Sequence, residues 1–158
     1  MLEQIEIAEK DGARVVVGGG RIDRPGFYLE PTVLTGIDET NAAYNTEFFG
    51  PVAAFYVVDT ESEAIELAND TPFGLGASVF TADTARGRRV AAQIDSGMVF
   101  VNQPAWTAPE LPFGGVKRSG FGRELAELGF GEFVNRKLVN VAAVGSGPWG
   151  PSPEVTHP

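Results

Sequence analysis

Between residues 52 and 101 the chain alternates apolar runs with amphipathic stretches, and this alternation restricts its architecture more than any other feature. Residues 52–58 read Val-Ala-Ala-Phe-Tyr-Val-Val without a polar break. Such a run predicts a strand buried on both faces, as in a parallel sheet. Thr60 follows, with Glu63 three residues on, a pairing that predicts a capping box at the start of a helix. Ala64, Ile65, Leu67 and Ala68 supply that helix with a buried stripe. Residues 76–81 predict a second strand. Asp83 predicts the cap of a basic helix over residues 84–94, with Val90, Ala91 and Ile94 facing inward. Residues 98–101 predict a third strand of the same kind. The order strand, helix, strand, helix, strand implies right-handed crossovers and an α/β fold with a mostly parallel sheet.

The flanks are less regular. Leu2, Ile5, Ile7 and Ala8 predict a short amphipathic helix that ends near Asp11-Gly12. Residues 13–17 predict a buried strand, closed by Gly18-Gly19-Gly20. Residues 21–26 read as a hairpin-like excursion. Residues 27–34 resume extended structure, with Pro31 confining it to an edge or a bulge. Residues 103–122 show no periodicity, and a loop of that length inside a compact domain is usually functional. A short helix is expected over residues 124–133 and a strand over residues 137–144. Residues 145–158, rich in Gly and Pro, predict a disordered tail. The expected organisation is therefore one unit over residues 1–144 and a tail over residues 145–158.

Composition removes several kinds of chemistry. There is no cysteine among the 158 residues, hence no disulfide, no thiolate metal site and no thiol nucleophile. The single histidine, His157, stands next to the C-terminus, so neither a histidine metal centre nor a Ser-His-Asp triad is expected. No metal ion and no catalytic side chain are assigned. A formal net charge of −9 argues against nucleic acid as a partner, because a phosphate backbone needs a basic stripe. No apolar run approaches membrane-spanning length, and the N-terminal segment does not read as a leader peptide. The expected compartment is the cytoplasm.

Two stretches carry candidate site residues. Glu47-Phe48-Phe49-Gly50-Pro51 places a carboxylate and an aromatic just before a strand. A carboxylate accepts hydrogen bonds from both hydroxyls of a ribose, and an aromatic two residues on can cover a nicotinamide face. Taken alone, the segment reads rather as an acidic turn residue and a core phenylalanine. In the long loop, Trp106 and Thr107 either contact a ligand or merely pack the loop. Asn102, at the end of a strand, is placed to cap backbone groups. Gly18-Gly19-Gly20 precedes Arg-Ile-Asp-Arg-Pro rather than a helix, so it does not read as a phosphate loop.

Four segments, in order, resemble the signatures of the aldehyde dehydrogenase family. They are Glu47-Phe48-Phe49-Gly50-Pro51, Asn69-Asp70-Thr71-Pro72-Phe73-Gly74-Leu75, Ser96-Gly97-Met98-Val99-Phe100-Val101-Asn102, and Leu111-Pro112-Phe113-Gly114-Gly115-Val116-Lys117-Arg118-Ser119-Gly120. The wording of residues 106–120 is most similar to bacterial succinate-semialdehyde dehydrogenases. The resemblance implies an NAD- or NADP-dependent oxidation of an aldehyde to its carboxylate, with succinate semialdehyde as the small-molecule substrate. It implies that Glu47 holds the nicotinamide ribose and that Phe49 packs at the nicotinamide. It places Trp106, Thr107 and Phe113 on the aldehyde side, and Asn102 near the substrate channel. The family attacks its aldehyde with a cysteine thiolate and hydrolyses the thioester with a Glu-activated water. The resemblance matches the C-terminal third of such an enzyme. The expectation is an incomplete catalytic domain with weak or no cofactor binding of its own, ending in an oligomerisation-type strand. It is expected to be inactive alone. The alternative is a non-catalytic binding or oligomerisation module that forms a homo-oligomer or associates with a full-length dehydrogenase subunit or a separate N-terminal half.

Overall fold

The computed structural model describes residues 1–146. Helix α1 spans Leu2–Lys10, with Ile5 and Ala8 buried. Ile7, expected on the same stripe, faces solvent. Strands β1 (Arg14–Val17), β2 (Thr32–Thr35) and β3 (Val52–Ala54) form one sheet in that order. β1 and β2 are antiparallel, with a bulge between Val15 and Val17, whereas β2 and β3 are parallel. β2 is thus the central strand, not the edge that Pro31 predicts. Pro31 escapes the conflict by standing one residue before the ladder, where the Thr32 amide donates to the Pro51 carbonyl (2.8 Å).

A core lies beneath this sheet. Ile5, Ala8, Ala13, Leu34, Ile37 and Ala43 are its buried apolar residues, flanked by Val15, Leu29, Tyr44, Phe48, Val52 and Tyr56. Two buried polar side chains are fully used. Asn41 donates from Nδ2 to the Ala8 carbonyl (2.9 Å) and accepts the Ala43 amide at Oδ1 (2.9 Å). Thr32 accepts the Gly19 amide at Oγ1 (2.9 Å) and donates to the Glu30 carbonyl (2.8 Å). Both convert loop ends into fixed points on the core.

The second half is built on a separate pair of strands. α2 (Glu61–Asn69) opens with the expected box: Thr60 Oγ1 accepts the Glu63 amide (3.2 Å), and Glu63 Oε2 accepts the Thr60 amide (3.2 Å). β4 (Gly76–Val79), α3 (Thr84–Ala91) and β5 (Met98–Val101) form a parallel crossover, with Gly76 opposite Met98 and Val79 opposite Val101. Asp83 caps α3 through the Ala85 and Arg86 amides. Gly87 lets the helix sit close on its strands. A Cβ there would meet Val101 Cγ1 at 2.7 Å and Thr81 Cγ2 at 3.1 Å. An ion pair between Arg86 and Glu61 joins α3 to α2. Short 3₁₀ turns occupy Lys117–Ser119 and Gly131–Phe133, and α4 spans Ala126–Phe130.

Several expectations are corrected. The five strands do not form one sheet, since β3 and β4 belong to different sheets. The run 52–58 pairs only over its first three residues and is not buried on both faces: Phe55 and Val57 are exposed. β1 exposes Val16 and Val17. Ile65 and Leu67 of α2 are half-buried, and Ala64 and Ala68 exposed. These apolar residues record a capacity for burial that no second layer among the described residues meets. Residues 137–144 carry no strand, because no other described segment pairs with them. The expected tail falls largely on residues 147–158, which lie outside the described residues, as does His157. Among the described residues, no helix is long and apolar enough to cross a membrane.

Candidate functional site

The turn carrying Glu47 and Phe49 is held from both sides. Tyr44 donates its hydroxyl to Asp70 Oδ2 (2.7 Å), at the C-terminal end of α2. That bond, reinforced by burial, pushes the Tyr44 phenol up to about 12. Its ring meets Tyr56 edge-on, with centroids 6.5 Å apart. Thr46 Oγ1 donates to the Ala42 carbonyl (3.0 Å), and Gln4 Nε2 reaches the Glu47 carbonyl (3.4 Å). Phe48 and Phe49 divide the work: Phe48 packs against the core, and Phe49 is 87% exposed. The core phenylalanine of this segment is therefore Phe48. The Glu47 carboxylate is also exposed and accepts no hydrogen bond among the described residues. A free carboxylate and an open aromatic face on one braced turn fit a ribose diol and a flat heterocycle.

The glycine run at 18–20 is committed elsewhere. The Gly19 amide donates to Thr32 Oγ1 (2.9 Å), and the Gly20 amide to the Glu30 carboxylate (3.1 Å). Amides already committed to a hydroxyl and a carboxylate do not cradle phosphate.

The loop after β5 is the second part of the site. Trp106 is 48% exposed and Thr107 is exposed, whereas Phe113 is half-buried. Phe113 lines a cleft of about 210 Å³ with Leu75, Gly115, Phe121, Arg123 and Glu132. That cleft does not include Trp106, Thr107, Glu47 or Phe49. The structure thus separates the candidate residues into three places: the 44–50 turn, the 103–110 arm, and the cleft at Phe113.

Backbone pairing shapes this loop. Phe113 and Glu124 exchange both amide bonds (2.8 and 2.6 Å). Arg123 folds inward, donating Nη1 to the carbonyls of Gly115 (2.9 Å) and Gly122 (2.6 Å). The loop then docks on the turn after α2. The Gly74 carbonyl accepts the amides of Gly97 and Val116 (2.9 Å each). Ser119 Oγ accepts the Gly74 amide (3.0 Å), and the Arg118 amide reaches the Pro72 carbonyl (2.9 Å). Asn102, whose role the sequence left open, caps backbone: its Oδ1 accepts the Thr81 amide (2.8 Å). The sequence did not single out Ser119 or the Gly74 carbonyl for this docking. Its only signal was the density of glycine and polar residues in both segments.

Comparison with known proteins now identifies the class. The model of the aldehyde dehydrogenase family matches residues 1–139, and the chain belongs to that family. A succinate-semialdehyde dehydrogenase [NADP(+)] of Deinococcus radiodurans is 52% identical over 136 residues, which cover 86% of this chain and 28% of that protein. Among solved structures, the succinic semialdehyde dehydrogenase of Streptococcus pyogenes, in complex with NADP+, superposes with a TM-score of 0.85 at 48% identity. It is matched over 89% of this chain and 31% of its own. An aldehyde dehydrogenase of Mycobacterium tuberculosis, complexed with NAD+, gives a TM-score of 0.79 at 40% identity, over 84% of this chain and 28% of that one. The chain therefore spans about 30% of the length of the relatives it matches, and it shares their fold over that part.

Proposed function

We infer that this chain supplies the nicotinamide-facing turn and the aldehyde-side loop of an NADP- or NAD-dependent succinate-semialdehyde dehydrogenase, with residues 1–144 as the working segment. The observation that carries the reading is the braced turn, which leaves the Glu47 carboxylate and the Phe49 ring open together. The 52% identity to the D. radiodurans enzyme, whose name includes NADP(+), supports the substrate and the cofactor. Glu47 binds the nicotinamide ribose, and Phe49 covers the ring. The nicotinamide, when bound, accepts hydride from the substrate carbon. Trp106, Thr107 and Phe113 border the aldehyde and exclude water from it. None of the 158 residues is a cysteine, so the thiolate nucleophile comes from outside these residues, and the chain alone does not turn over.

The test is a hybrid enzyme. Residues 1–139 replace the matching segment of the D. radiodurans dehydrogenase, and NADP+ reduction is followed with succinate semialdehyde. We expect activity from the hybrid, loss of NADP+ affinity on Glu47→Ala, and none from the chain alone. A hybrid that folds, binds NADP+ and leaves succinate semialdehyde untouched would refute the substrate.

A second reading has its own observation. Val16, Phe55 and Val57 are exposed around one hollow beside the first sheet, and Leu138, Val139 and Val141 are exposed on the unpaired segment 137–144. Contiguous apolar surface marks association, so the chain also suits a non-catalytic module bound to another dehydrogenase subunit or to a second copy of itself. Co-purification with a full-length dehydrogenase supports this reading; a lone monomer at high concentration opposes it.

A further inference from the structure

The non-glycine residues with left-handed φ, among those described, are Asn102 (59°), Lys117 (54°), Leu125 (62°) and Ala126 (50°). All four fall within or beside the single loop that joins β5 to α4. Such conformations persist only where surrounding contacts hold them, and they cluster where function needs a fixed shape. For Lys117 the holding contact is visible. Its Nζ donates to the Asn69 carbonyl (2.7 Å) and stands 4.0 Å from the Asp95 carboxylate. Asn69 is the last residue of α2, where carbonyls lack helical partners and the helix end favours a cation. The Asn69 side chain is itself fixed: Nδ2 donates to the Gln93 carbonyl (2.7 Å), and Oδ1 accepts the Asp95 amide (2.8 Å). The ammonium therefore meets a rigid acceptor at the junction of α2 and the turn before β5.

We propose that Lys117 is a positioning residue for the aldehyde-side loop: its ammonium latches the strained 117–119 turn onto the end of α2 and so holds Phe113 in its cleft. The path is short. Val116 and Arg118, on either side of Lys117, donate their amides to Gly74 and Pro72. Phe113 lies three residues before Val116 and shares its cleft with Ser119. Without the ammonium, the left-handed backbone at Lys117 has one fewer restraint, and the loop relaxes away from the turn.

The proposal rests on the functional reading above for its kinetic consequence, and two measurements separate the two. In the hybrid dehydrogenase, Lys117→Met keeps the side-chain length and the strained φ but removes the charge. We expect KM for succinate semialdehyde to rise about tenfold, as for loss of a charge-assisted hydrogen bond, with kcat within about twofold because no reacting atom is touched. Lys117→Arg should restore most of the affinity. Lys117→Gly loses the latch but relieves the backbone, so its KM should lie between those of wild type and Lys117→Met. A Lys117→Met hybrid with unchanged KM, or with kcat and KM lost together, would overturn the proposal. In the chain itself, amide hydrogen exchange at Val116 and Arg118 should quicken about tenfold in Lys117→Met and recover in Lys117→Arg, since the latch bond restrains both. That result needs no activity. If the wild-type hybrid is inactive, the functional reading fails, and unaltered exchange at Val116 and Arg118 would still overturn the latch.

Discussion

Gly74→Ala should be among the most damaging conservative changes in this chain. Gly74 lies in the turn between α2 and β4, buried beneath the docked loop. A Cβ at this position would stand 2.7 Å from the Asp95 carbonyl oxygen and 2.7 Å from Val116 Cγ2. The first neighbour is backbone and cannot rotate away. Relieving the contact moves either the Gly74 backbone or the turn before β5. Either movement stretches the two bonds, each 2.9 Å, by which the Gly74 carbonyl holds Gly97 and Val116. Overpacking costs about 1–3 kcal/mol, and each weakened hydrogen bond about 1 kcal/mol. Reduced freedom of the unfolded chain offsets roughly 0.4–1 kcal/mol. The net loss should be about 2–4 kcal/mol. At about 2–4 °C per kcal/mol for a chain of this size, the midpoint falls by roughly 5–15 °C. Thermal unfolding followed by circular dichroism reads this directly. Gly20→Ala is the control, because the nearest atom to its Cβ is the Glu30 carboxylate at 3.0 Å, the end of a flexible side chain. It should change the midpoint by no more than about 2 °C. If Gly74→Ala unfolds at the same temperature as Gly20→Ala, the docking geometry described here is wrong.

Thr60→Ala removes one half of the capping box and should cost about 1 kcal/mol. Glu63→Ala should cost less in the Thr60→Ala background than in wild type, a non-additivity that a double-mutant cycle of denaturant midpoints would detect. The Tyr44 phenol is raised from 10.0 to about 12 by its bond to Asp70, so the folded chain retains that proton after the unfolded chain has lost it. Its contribution to stability is complete below pH 10 and disappears as the pH rises to about 12. Alkaline unfolding of Tyr44→Phe should lack that component, and identical alkaline curves would dismiss the bond. Phe49→Ala should leave the unfolding midpoint of the chain within about 1 °C, since surface changes usually fall inside ±0.5 kcal/mol. The same change should weaken NADP+ binding to the hybrid enzyme, as measured by calorimetry. The chain alone should bind NADP+ no more tightly than about millimolar, near 4 kcal/mol.

How far these features could be read in advance depended on how local their causes are. The capping box at Thr60 and Glu63 and the Asp83 cap involve neighbours three residues apart or fewer, and the sequence shows them directly. The β4–α3–β5 crossover follows from a pattern of comparable range. The division into two sheets was not legible, because residues 52–58 carry the apolarity of a fully buried strand while only β2 pairs with them. Apolarity records what a strand can bury, not whether the covering layer is present. In the site, Phe49 could be named from its motif, but its exposure follows from the choice of Phe48 as the core residue, which a pair of adjacent phenylalanines does not reveal. The docking of residues 113–119 on residues 70–74 joins groups more than forty residues apart through backbone amides, to which side-chain identity gives almost no signal.

That docking also explains why the site loop is held as it is. The buried apolar core, Ile5 to Ala43 with its flanking side chains, lies wholly under the first sheet. From β4 to α4 and in the turn before β4, the buried residues are glycines: Gly74, Gly87, Gly115 and Gly129. Glycine contributes no apolar side chain, so close approach of backbones and the hydrogen bonds it permits replace burial as the organising force there. A Cβ at Gly115 would meet Ser119 Cβ at 2.6 Å, and one at Gly129 the Glu124 carbonyl carbon at 2.7 Å. Such contacts set shape accurately, and each hydrogen bond they permit contributes about 1 kcal/mol. The first sheet is therefore held by apolar burial, and the loop by backbone hydrogen bonds. Substitutions in the 103–112 arm, which lies outside that core, should leave the first sheet folded.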